Sequence, residues 1–212
     1  MRVGGATFGD RVAAAVERKR SQVLVGLDPR PELFPVELRG EPPAEASARF
    51  CRGIVDAVAP YVVGVKPQLA FFEALGPDGL AAFEEICAYA RAAGLVVLAD
   101  GKRGDIGSTA RAYAAAYLEP REEGGVPIAD ALTVNPYLGR DSVEPYLAAC
   151  RRHGSGIFCV VRTSIADRSE GSRKLGMPSS IGYSRLSADT SVPDITIPSC
   201  TTGSTRRSAD RE

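Results

Sequence analysis

Short apolar runs alternate with longer amphipathic stretches through the first three quarters of the chain. Residues 23–27, 62–67, 95–99, 131–134 and 156–161 are short and rich in β-branched or aromatic residues, and read as strands. Residues 8–19, 44–59, 68–75, 78–93, 109–118 and 141–153 read as helices. Gly94 and Gly154 stand where two of these helices should close, Asp141 stands where the last should be capped, and Gly76-Pro77 separates the third from the fourth. Residues 31–43 are proline-rich and 119–127 are charged and glycine-containing, so both read as loops. Strand–helix alternation of this kind predicts an α/β fold of the (β/α) TIM-type barrel class.

The pattern halts at Ser164. Beyond it the chain is rich in Ser, Thr, Arg and Gly, and the apolar stretch 192–198 is broken by prolines. Five βα units are recognisable, whereas a closed barrel has eight. The expected organisation is therefore an incomplete barrel over 1–164 and a low-complexity, disordered tail over 165–212. The abrupt loss of periodicity suggests a tail read out of frame or a non-homologous ending. The other two frames of the coding DNA test that idea.

Composition narrows the function classes. The 212 residues are 44% hydrophobic and 25% charged, with 26 basic and 26 acidic side chains. Zero formal charge disfavours a general nucleic-acid or anionic-membrane binder. No apolar run has the length of a membrane span, and the first ten residues lack a signal-peptide core. The five cysteines are scattered without metal-site or disulfide spacing. They fit a reducing cytoplasm, with Cys87 and Cys159 expected in the core.

The chemistry concentrates in Asp100-Gly101-Lys102-Arg103-Gly104-Asp105-Ile106-Gly107-Ser108-Thr109. Charges begin where the strand 95–99 ends, at the carboxyl edge where α/β folds place their sites. While the backbone stays extended, Asp100 and Lys102 share one face, and Asp105 in the following turn is aimed elsewhere. A lysine among carboxylates stays protonated and suits proton donation. Asp28 ends the first strand before Pro29, where an Asx turn alone would account for it. Lys66 ends the second strand. Thr163 and Ser164 follow the fifth, where either hydroxyl could serve as a cap. The lone histidine, His153, suits a helix C-terminus.

The run Lys102-Arg103-Gly104-Asp105-Ile106-Gly107-Ser108-Thr109 resembles the signature of orotidine 5′-phosphate decarboxylases, and its wording is similar to their longer-chain (type 2) subfamily. Gly101 departs from the alanine expected there and removes no functional group. Gly26-Leu27-Asp28-Pro29-Arg30, Val65-Lys66-Pro67-Gln68, Asn135-Pro136-Tyr137 and Arg162-Thr163-Ser164 resemble further segments of that family.

The resemblance implies decarboxylation of orotidine monophosphate to uridine monophosphate, without metal or organic cofactor. It implies Asp100, Lys102, Lys66 and Asp105 as the catalytic charges. Asp28, Thr109, Ile106, Thr163 and Ser164 would contact the nucleotide. It also implies a cytoplasmic homodimer in which the Asp105–Thr109 segment enters the partner's site. The phosphate-gripping half of such a barrel has no match after Ser164, so poor solubility and low activity are expected, because remote binding energy is lost. Two other readings remain: a catalytically dead fragment acting at most as a dimerisation partner, and a magnesium-dependent phosphosugar decarboxylase or aldolase of the same superfamily.

Overall fold

The computed structural model describes residues 6–161. Five strands form one parallel sheet in the order β1 (Leu24–Leu27), β2 (Gly64–Pro67), β3 (Val96–Arg103), β4 (Ala131–Val134) and β5 (Gly156–Cys159). Sequential order without reversal is the topology of a (β/α) barrel wall and excludes a doubly wound sheet. Helices fill each crossover: α2 (Pro43–Val58), then α3 (Leu69–Glu73) and α4 (Gly76–Ala92), then α5 (Gly107–Leu118) and α6 (Arg140–His153). α1 (Phe8–Lys19) precedes β1.

Strand side chains alternate between two environments. Leu27, Val65, Val97, Ala99, Leu132 and Val134 join Val55, Phe72, Phe83, Ile86, Leu118 and Tyr146 in one core between sheet and helices. Lys66, Asp100 and Thr133 project from the other face.

α1 closes the end opposite the strand carboxyl termini. Thr7 caps it in a reciprocal box with Asp10. Phe8 lies edge-on to Phe158 at 6.1 Å. Gly156 leaves room for that ring, since a Cβ there would approach Phe8 to 2.3 Å. Arg11 donates to Asp130 at 2.6 Å and to the Gly154 carbonyl at 2.9 Å.

Three expectations need correction. β3 continues through Arg103 rather than ending at Ala99, because pairing with β4 resumes at Arg103–Val134 after a bulge. Asp141 lies in the first turn of α6; Gly139 holds the cap position with φ +93°, which a side chain would strain. Cys87 is buried, but Cys159 is exposed because β5 is the last strand of the described sheet. Thr163, Ser164 and the expected tail lie outside the described residues.

Candidate active site

The carboxyl ends of β2, β3 and β4 converge on Asp100. Its side chain is only 7% exposed, although it carries a charge within β3. Four donors reach it. Lys102 Nζ at 2.5 Å and Thr133 Oγ1 at 2.9 Å donate to Oδ1. Lys66 Nζ at 2.7 Å and Gln68 Nε2 at 3.0 Å donate to Oδ2. A carboxylate offers about four acceptor positions, so this one is saturated.

Burial alone would raise the Asp100 carboxyl pKa, but the hydrogen bonds from Lys102, Lys66 and Thr133 outweigh it and hold the group below the usual value. Asp100 is thus a fixed negative charge and is unsuited to taking up a proton. Lys102 differs from Lys66: its side chain is 53% exposed against 29%, so its remaining donors face the open mouth.

The local backbone makes this convergence. Gln68 follows β2 and bridges to Asp100 as an added step of parallel pairing. Lys102 occupies the bulge with φ +45°, a left-handed conformation uncommon for a residue with a side chain. Its amide donates to Thr133 Oγ1 at 2.8 Å in place of a ladder carbonyl. Arg103 then pins the strand end: it pairs with Glu73 and lies 5.3 Å from the Tyr113 ring centroid and 6.0 Å from that of Tyr117. Gly104 passes so close to Asn135 that a Cβ would meet its carbonyl oxygen at 2.7 Å.

Of the residues singled out in the sequence, Lys66, Asp100 and Lys102 are brought together. Asp105 stands apart, accepting from the Ile106 amide at 2.7 Å. Ile106 is 60% exposed before α5, and Thr109 is exposed in its first turn. Asp28 is exposed just beyond β1, so it occupies the same rim without joining the Asp100 cluster. Thr133 and Gln68 were not among the expected site residues. Thr133 carried a readable signal, as the one hydroxyl in Ala131-Leu132-Thr133-Val134. Among the described residues no group of three or more His, Cys, Asp or Glu is placed to hold a metal ion.

Two ammonium groups fixed on one saturated carboxylate, on a (β/α) wall, form the kind of preorganised charge cluster that suits an enzyme site. The family model described as orotidine 5′-phosphate decarboxylase / HUMPS matches residues 21–190, and the chain belongs to this family. The match runs past Ser164, further than the segments that carry the resemblance.

The orotidine 5′-phosphate decarboxylase of Rhodopirellula baltica is 51% identical over 166 residues, covering 74% of this chain and 55% of that protein. That of Deinococcus radiodurans is 46% identical over 165 residues, covering 77% and 56%. The solved Leishmania donovani OMP decarboxylase aligns at 31% identity and TM-score 0.61, covering 80% of this chain and 58% of that one. The chain therefore spans about half the length of the curated relatives it matches.

Proposed function

We propose that this chain performs the chemistry of orotidine 5′-phosphate decarboxylase, converting orotidine monophosphate to uridine monophosphate and carbon dioxide. The observation that carries the reading is the Lys66–Asp100–Lys102 cluster, with both lysine ammoniums on one buried carboxylate. The fixed charge of Asp100 lies against the substrate carboxylate and disfavours it relative to the departing carbon dioxide. The bond from the ring carbon to the carboxylate breaks, and its electron pair stays on the ring. Lys102, the more exposed ammonium, stabilises that pair and then delivers a proton to it. Lys66 holds Asp100 in place.

On this reading Asp28, Ile106 and Thr109 contact the nucleotide; Thr163 and Ser164, the expected pyrimidine contacts, lie outside the described residues. Asp105 completes the charge set across a homodimer, which gives its separate direction a purpose. The wording of the 102–109 run supports membership of the longer-chain subfamily, and the scattered cysteines fit a cytoplasmic location. Among the described residues no helix is long and apolar enough to cross a membrane. Relatives at 46–51% identity bearing the decarboxylase name favour this reading over a phosphosugar enzyme.

The test follows the absorbance of orotidine monophosphate with purified chain. Turnover is expected, and Lys102→Ala should abolish it. Turnover that survives Lys102→Ala overturns the role of Lys102 as proton donor. A chain that binds neither orotidine monophosphate nor uridine monophosphate overturns the reading as a whole.

A further inference from the structure

Thr133 is the third of the four residues of β4, and its hydroxyl stands between Asp100 and the backbone of Lys102. A carboxylate only accepts, so the hydroxyl proton goes to Asp100 Oδ1 at 2.9 Å. An oxygen lone pair then takes the Lys102 amide at 2.8 Å. That amide lies in the β3 bulge, where pairing between Ala99–Leu132 and Arg103–Val134 shifts register. The left-handed φ of Lys102 would by itself turn its side chain off the face that carries Asp100. Instead, the Lys102 ammonium returns to Oδ1, the oxygen that Thr133 also holds.

We propose that Thr133 is a positioning residue: its hydroxyl fixes the left-handed backbone of Lys102 and thereby aims the Lys102 ammonium at Asp100 and the reacting carbon. The effect on turnover rests on the decarboxylase reading; the effect on the Lys102 backbone stands on the geometry alone. Thr133 acts through Asp100 and Lys102, the two residues its hydroxyl bonds. Its effect falls on transition-state placement, where a displacement near 1 Å costs about a hundredfold.

The experiment compares Thr133→Val with Thr133→Ser in the full chain. Valine keeps the β-branched shape and loses both hydrogen bonds; serine keeps the hydroxyl. In Thr133→Val, hydrogen exchange at the Lys102 amide should quicken about tenfold. The kcat should fall about tenfold to a hundredfold with KM for orotidine monophosphate little changed. Thr133→Ser should restore both. Unchanged Lys102 exchange and kcat in Thr133→Val overturn the proposal, as does equal loss in the valine and serine variants. If the unaltered chain shows no turnover, the decarboxylase reading fails by itself, and the amide exchange still decides the role of Thr133.

Discussion

Lys102 Nζ lies 2.5 Å from Asp100 Oδ1 even though the backbone between them does not remain extended. The i, i+2 spacing is therefore insufficient to explain the pair. Contacts from β2, from Gln68 just after it and from β4 complete it: Lys66 and Gln68 hold one carboxylate oxygen, and Thr133 shares the other with Lys102.

The two lysines should differ in what their removal does to the fold. Lys66→Met takes a half-buried donor from a buried carboxylate, and should cost about 1–3 kcal/mol in chemical denaturation. Lys102→Met should cost less, because water can reach the vacated side at a 53% exposed position. Both should raise the Asp100 titration in carboxyl carbon NMR. Equal stability losses, or an unmoved titration, would contradict the hydrogen-bond assignment.

The sign of the pH effect follows from the same group. The folded-state pKa of Asp100 lies below the unfolded carboxyl value of about 3.9. Its stabilisation is thus fully present above that value and is lost as pH falls through the lower folded value. The stability gap between the unaltered chain and Asp100→Asn should be constant from about pH 6 to 8 and shrink below about pH 4. Denaturant midpoints at several pH values measure it. A gap that widens towards acid would show the shift to have the opposite sign.

The parts of the fold that were legible were local. Strand runs such as Ala131–Val134 and the helix Phe8–Lys19 were readable because periodicity and length are written in neighbouring residues. Lys66 and Asp100 could be placed at one rim because each is the first charge after an apolar run. The bulge at Lys102 was not legible, since it arises from register against β4. Nor was Arg103, whose partners Glu73, Tyr113 and Tyr117 come from two other elements. Asp130 is the clearest case: it is buried and bonded to Arg11, yet they are 119 positions apart in sequence.

Gly101, the one departure from the expected signature, provides a further test. It has no positive φ, and a Cβ there would meet Leu132 Cδ1 at 3.3 Å and Leu69 Cδ2 at 3.4 Å. Both are side-chain ends able to give slightly. Gly101→Ala should therefore leave stability within about 1 kcal/mol, with a gain where reduced freedom of the unfolded chain prevails. A loss above about 2 kcal/mol in thermal unfolding would mean that Leu69 of α3 and Leu132 of β4 cannot yield around β3.

The docking of α1 should be energetically coupled to the sheet through Arg11 and Asp130. The Asp130 side chain is 8% exposed and accepts from the Val97 amide at 2.9 Å as well as from Arg11 at 2.6 Å, with Arg91 at 3.9 Å. Arg11→Ala leaves a buried carboxylate short of its nearest cation, while Asp130→Ala strands the Val97 N–H. Each should cost about 1–3 kcal/mol. The double variant should lose less than the sum, by a coupling of about 0.5–3 kcal/mol, because the second change removes a partner already lost. Amide exchange along Phe8–Lys19 should quicken in Arg11→Ala, since the Gly154 contact goes with the same side chain. Strict additivity of the two stability losses would show that the Arg11–Asp130 pair does not couple the helix to the sheet.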